Sequence, residues 1–398
     1  MNFIKLALPA LVAIAFAPAY ADARSRCVTE MPAYAVAPLV TAAAVTTAST
    51  LGRDLGGLAV FSYTASTMGA GSIVWGSYWS GGVITSAASG TVHGDVTSPL
   101  AATIGDSAYI YGSIVSGDVL TTGDTSKVLR SITSTGASTV GANATVNGNM
   151  LAGGVATISA SGKVLGNVDA PAAPVLGDPA HNVGGSIGTA AVPANLKSDL
   201  IAQNVAGGLQ IADAQTALGN LTTTSFLAAT QVTSTTFYAG VYQAADWATT
   251  ADITITLDFQ NQDNASFVFN FTDHFVTGAN TTFVLANQGT NDHVVWNSFS
   301  AGGYVKLGAG TKIMGPILAT TYIAGGESAI VSGIDGMCGG IYSATSYAQG
   351  DASAQIGGVG CSFPSSIPVG DPGDPGVTVA VPEPETYAML LGGLGALA

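Results

Sequence analysis

The chain has 398 residues with 10 basic and 24 acidic side chains, a formal net charge of −14, and 52 glycines against only 9% charged residues. So acidic a balance argues against nucleic acid or an anionic membrane as partner. Scarce charge with abundant Gly, Thr, Ser, Ala and Val favours a β architecture over a helical bundle.

Residues 1–21 read as a secretory signal: Lys5 gives the positive charge, residues 6–17 the apolar core, and Ala19-Tyr20-Ala21 the small-x-small cleavage site. The apolar run is too short for a membrane span, so the mature chain is expected to be exported. Residues 22–68 are Ala/Thr-rich and read as an N-terminal lead-in or cap.

From residue 69 to 176 a pattern with an 18-residue period returns through six windows. The sixth residue of each window is Val74, Val92, Ile110, Val128, Val146 or Val164, and two residues later stand Gly76, Gly94, Gly112, Arg130, Gly148 and Gly166. Two further on come Tyr78, Val96, Ile114, Ile132, Met150 and Val168. A short fixed period marks a solenoid, whose repeats bury their apolar faces only by stacking. A repeat of this length suits one β-helical coil of three short strands, with glycine at corners for its backbone freedom and Val/Ile columns pointing inward. Thr85, Thr103, Thr121, Thr139 and Thr157 then form an outward ladder, with Thr67 one period upstream. A second small polar column, Ser89, Ser107, Thr125, Asn143 and Ser161, lies four residues further on and is assigned to the same wall.

Asp178-Pro179 through Gly188 reads as a connection. Residues 194–220 then place Leu196, Leu200, Ile201, Val205, Leu209 and Leu218 at helical spacings, with Gly207-Gly208 expected to break or end the helix. Strand patterns resume at residues 253–257 and 267–271, with a hairpin-like or corner turn between them. Windows at Gly308 and Gly326 bring back the 18-residue design through Ile313, Val331, Gly315 and Gly333. The prediction is an all-β-dominated solenoid over residues 69–362 with one inserted α-helix alongside.

Leu307-Gly308-Ala309-Gly310-Thr311, Gly315-Pro316-Ile317-Leu318-Ala319, Phe237-Tyr238-Ala239-Gly240-Val241-Tyr242 and Phe267-Val268-Phe269 occur in an order that resembles the microbial ice-binding proteins. The resemblance covers roughly residues 195–335 and implies a discontinuous β-solenoid with an adjoining helix. After Gly333 it departs, with Ile334-Asp335-Gly336-Met337-Cys338 in place of the usual closing motif. The N-terminal coils also resemble bactofilin-type repeats, which build polymers. At the C-terminus, Val381-Pro382-Glu383-Pro384 and the apolar residues 387–398 resemble a PEP-CTERM sorting signal, without its terminal basic cluster. That resemblance implies an exosortase-type partner, a Gram-negative source and a place near extracellular polysaccharide. Residues 363–380 read as the linker ahead of it.

For function, the residues give two readings. The first is ice binding through Thr85, Thr103, Ser107, Thr121, Thr125, Thr139, Asn143 and Thr157; the second is a structural or adhesive matrix protein. No enzyme is expected. Asp273-His274 and Asp292-His293 stand one place out of register with an 18-residue coil, and no nucleophile accompanies them. Asp258, Asn261 and Asp263 could hold Ca²⁺ or could shape a corner, and the corner is favoured. Trp75, Tyr78, Trp79, Tyr109 and Tyr111 are expected to fill an open end of the solenoid rather than stack on sugars. No cofactor or metal is expected, and Cys338 and Cys361 can form one bridge.

Overall fold

The computed structural model describes residues 51, 55, 57–358 and 360–361. The expected signal peptide, most of the lead-in, the linker and the sorting residues Val381, Pro382, Glu383 and Pro384 lie outside the described residues. Three parallel sheets of 14, 13 and 12 strands form the walls of one solenoid. A helix, Leu196–Gly219, lies along the 14-stranded sheet, hereafter the helix wall.

In the N-terminal half each 18-residue coil contributes one strand to each wall: Val115 pairs with Thr133, Thr121 with Thr139 and Lys127 with Thr145. The alternation of side chains along each strand drives Val74, Val92, Ile110, Val128, Val146 and Val164 into a core where none exceeds 2% exposure. The column from Tyr78 to Val168 is buried with them. An inward serine column satisfies the carbonyls at one corner: Ser98 Oγ donates to Gly82 O at 2.6 Å and Ser116 Oγ to Leu100 O at 2.6 Å.

Glycine serves the next corner for a different reason from the one expected. A Cβ on Gly94 would sit 2.4 Å from the carbonyl carbon of Gly76, and one on Gly112 2.4 Å from the carbonyl oxygen of Gly94, so at these rungs successive backbones come too close for a side chain, although the column admits Arg130 further along.

The stack begins in its middle. Leu58–Ser62 pairs on one side with Ser77–Ser80 and on the other with Ile341–Ser343. Residues 58–68 are therefore part of the solenoid, not of a lead-in. From this seam the chain builds coils to one end at Ile187–Gly188. The helix then carries it back past the seam, and it starts again from the other end at Ser225–Phe226. It closes where Ile341–Ser343, Ala348–Gly350 and Gln355–Gly357 meet the first strands of the three walls. Trp75, Tyr78, Trp79, Tyr109 and Tyr111 thus lie at or near this seam rather than at an open end.

Coils in the C-terminal half are larger. Phe267 pairs with Val294 and Phe275 with Val305, each well over one 18-residue period further on, before that period returns where Ile313 pairs with Val331. The wider interior is filled by Trp247, Phe267, Phe269, Phe271, Phe275, Phe283 and Trp296, all fully or almost fully buried. Aromatic rings supply the volume that Val and Ile supply in the narrow coils. The 259–264 segment is a corner between walls, where Asp263 Oδ1 accepts from Thr290 N at 2.8 Å in the next coil.

The helix is unbroken over 24 residues, about 36 Å at 1.5 Å per residue. Gly207 and Gly208 do not end it. A Cβ on Gly207 would lie 2.6 Å from the Phe61 ring, and one on Gly208 2.6 Å from the Tyr63 ring and 2.7 Å from Ala344 O. The pair lets the helix press onto the wall. Leu200, Asn204, Ile211, Ala214, Gln215 and Leu218 face inward, whereas Ile201, Val205 and Leu209 point to solvent. Amide side chains bind the helix to the wall: Asn270 Nδ2 donates to Leu218 O at 2.8 Å, and Gln215 Nε2 to Ser298 O at 2.7 Å. Cys338 and Cys361 are joined by a disulfide beside the seam. No described helix is long and apolar enough to cross a membrane.

Candidate functional site

The 13-stranded wall carries the threonine ladder. Thr67 pairs with Thr85, Thr85 with Thr103, Thr103 with Thr121, Thr121 with Thr139, and Thr139 with Thr157. Six rungs in register span about 24 Å at the usual strand spacing. Each hydroxyl and methyl stands on the outside between two buried neighbours, such as Ala102 and Ile104 around Thr103. Because the helix packs on a different wall, the ladder stays open to solvent, with Thr67 and Thr103 the most exposed.

A second outward column runs beside the first, two residues earlier on each coil: Ala65, Val83, Ala101, Val119, Ala137 and Val155. Backbone bonds hold it coil to coil, the residue after one member donating to the carbonyl of the next, as in Ala102 N to Val119 O at 3.0 Å and Leu120 N to Ala137 O at 2.9 Å. Val83, Val119 and Val155 are 39%, 42% and 48% exposed. Sequence reasoning missed this column, although the alternation of Ala and Val two residues before each threonine was its signal.

The column assigned to the same wall is not on it. Ser89, Ser107, Thr125, Asn143 and Ser161 all have φ between 57° and 60° and occupy the turn leading to the 12-stranded wall. Asp252, Asn280, Gly310, Ser328, Ser353 and Gly71 fill the same left-handed place in the other coils. Most of these residues donate their N–H to the next coil, for example Ser107 N to Asp124 O and Thr125 N to Ala142 O, both at 2.8 Å. Ser107, Thr125 and Asn143 are therefore corner residues.

In the C-terminal half the threonine column gives way to Gln349, Ala324, Lys306, Val276 and Ala248. Beside it His274, Tyr304, Tyr322 and Tyr347 stack ring on ring at 4.8–5.1 Å, with Lys306 Nζ 5.2 Å from the Tyr304 ring centre. His274 Nδ1 lies 3.0 Å from Asp246 and 3.6 Å from Asp273, and among the described residues these three offer ligand atoms within 4.8 Å of one another.

Asp292 and His293 are buried. The Asp292 carboxylate accepts from Gly289 N at 2.7 Å and Ala265 N at 3.0 Å, shaping a turn, and burial pushes its pKa up. Burial pushes the His293 imidazole down, and neither ring nitrogen has a hydrogen-bond partner.

Fold and wall together define a three-walled parallel β-solenoid, split at its middle, with a helix on one wall and a regular threonine–aliphatic face on another. Residues 176–346 of this chain match the family model described as Ice-binding-like. No curated protein matches the chain. Among solved structures, the chain is similar to the DUF3494 domain of Shewanella frigidimarina ice-binding protein 1, at 16% identity and a TM-score of 0.39, covering 76% of this chain and 96% of that one. An ice-binding protein from an Antarctic biological consortium is 13% identical with a TM-score of 0.37, over 81% and 95% of the two chains. The ice-binding protein of the Antarctic ascomycete Antarctomyces psychrotrophicus is 21% identical with a TM-score of 0.32, over 59% and 95%.

Proposed function

We propose that the protein binds ice, and that the contact surface is the threonine wall of its N-terminal half. The observation that carries this reading is the run of six threonines in strict register on a wall the helix leaves open. Threonine is β-branched and stiff at χ1, and the parallel coils hold each rung, so little side-chain entropy is left to lose on contact with a crystalline surface. The hydroxyls anchor water while the methyls and the neighbouring Ala/Val column leave it free to order against itself. No bond is made or broken in this function. The Ice-binding-like match over residues 176–346 supports it from the other half of the chain.

Export through residues 1–21 and retention at the surface through Val381, Pro382, Glu383 and Pro384, by an exosortase-type machinery near extracellular polysaccharide, complete the proposal. The Cys338–Cys361 bridge suits an oxidising compartment.

The test is thermal hysteresis with ice-crystal shaping, on the parent chain and on a variant carrying Thr103→Tyr, Thr121→Tyr and Thr139→Tyr. Shaping by the parent that disappears in the folded variant is the expected outcome. A folded parent that neither shapes ice nor shows hysteresis overturns the reading in favour of a structural or adhesive role.

A further inference from the structure

The outer face of the 12-stranded wall carries an interrupted ring ladder. Trp75 stacks on His93 at 4.0 Å and 11°, and His93 on Tyr111 at 4.5 Å and 12°. On its other side Trp75 pairs across the seam with Gly357, which has no side chain, and Gly357 pairs in turn with Ser332. One rung of the ladder is therefore missing. Trp75 and Ser332 stand two strand spacings apart, about 9.6 Å, which leaves room for one ring at the spacing the ladder already uses. The gap opens into a cavity of about 210 Å³ lined by Trp75, Ile330, Ser332, Gln355, Gly357 and Gly358, among others.

We infer that this slot binds one pyranose ring of a neutral polysaccharide. None of the residues lining the cavity is titratable, so nothing there selects an ionised ligand. Trp75 offers a flat apolar floor, suited to the C–H face of a sugar. Gln355 and Ser332, both in the lining, bring an amide and a hydroxyl that can pair with the hydroxyl groups of a sugar. A purely apolar ring would leave those groups without partners on desolvation. Gly357 sits at φ +105°, a conformation that favours glycine and keeps the rung empty. The slot lies on a different wall from the threonine ladder, so sugar binding here stands independently of ice binding.

The test is calorimetric titration of the full chain with cellohexaose and, separately, with mannohexaose, repeated on Trp75→Ala and on Ser332→Phe. Ser332→Phe places a second ring one rung beyond the empty one, from an outward strand position, so that a sugar in the slot is sandwiched between it and Trp75. Saturable binding of at least one oligosaccharide by the parent, weakened tenfold or more in Trp75→Ala and undiminished in Ser332→Phe while the melting curves of both match the parent, is the expected result. Binding that survives in folded Trp75→Ala, binding that is lost in folded Ser332→Phe, or no saturable binding of either oligosaccharide by the folded parent overturns the inference.

Discussion

Val119 and Thr121 both point outward from one segment of the threonine wall, about 6.7 Å apart, while Leu120 between them is fully buried. The pair repeats as Val83 with Thr85 and Val155 with Thr157, which makes the wall a grid of two columns rather than a single file. If ice is met by the grid, charge in the aliphatic column must be as damaging as bulk in the threonine column. A Val83→Lys, Val119→Lys double variant is expected to lose most of the thermal hysteresis with its melting temperature nearly unchanged, since both sites are exposed. Full activity in that variant would confine the contact to the threonines.

Thr125 sits in the left-handed region at φ 57°, where a β-branched residue is out of place. Its hydroxyl is used locally, 2.6 Å from Asp124 O and 2.8 Å from Ser107 Oγ. Thr125→Asn relieves the backbone and should stabilise the protein by about 1 kcal/mol in denaturant titrations. Being at a corner, it should leave ice shaping as it was; a loss of shaping would return this column to the contact surface.

Gly208 normally invites replacement by alanine in a helix interior. Here the added methyl would meet the Ala344 carbonyl at 2.7 Å, a backbone atom that cannot swing away. Gly208→Ala is expected to cost about 1–3 kcal/mol of stability, as overpacking does, instead of the usual gain. An increase in the denaturation midpoint would show that the helix stands off the wall.

His293 binds a proton less readily in the fold than in the unfolded chain, because burial lowers its pKa from the ordinary 6.5. The unfolded state therefore takes up more protons, and stability present above pH 6.5 is lost as the pH falls below it. Melting curves at pH 7.5 and 5.5 should show this decline, and His293→Gln should reduce it. An equal decline in the variant would assign the acid sensitivity to other groups.

The narrow coils were legible because each repeats three short strands and three corners without variation, so inward columns such as Val74 to Val164 surface at a fixed interval. In the larger coils the interval changes from one pairing to the next and no period survives, although their core residues Phe267 and Phe269 stand out locally. The helix was found, but apolar character does not mark its inward face: Ile201, Val205 and Leu209 are exposed, while Asn204, Gly207, Gly208 and Gln215 are buried against the wall beside Leu200, Ile211 and Leu218. The seam had no local signal, since the pairing of Val60 with Ile341 joins opposite ends of the described chain. In the wall, the threonines were read correctly as outward. The polar column was misplaced because a small polar residue suits a left-handed turn as well as it suits a strand, and only φ distinguishes the two.

The seam makes the waist of the rod the first part to be synthesised and the last to be completed. A chain grown as far as Ile187 has coils ready to stack, yet along Leu58–Ser62, Ser66–Met68 and Ile73–Trp75 one side of every strand still lacks its partner. Such an open parallel edge invites pairing with another chain, and its proper partner lies near the far end of the sequence. The coil containing Ile341, Ala348 and Ile356 thus acts as a keystone. Its late arrival, rather than the stability of the regular repeats, sets how long the growing protein is exposed to misassembly.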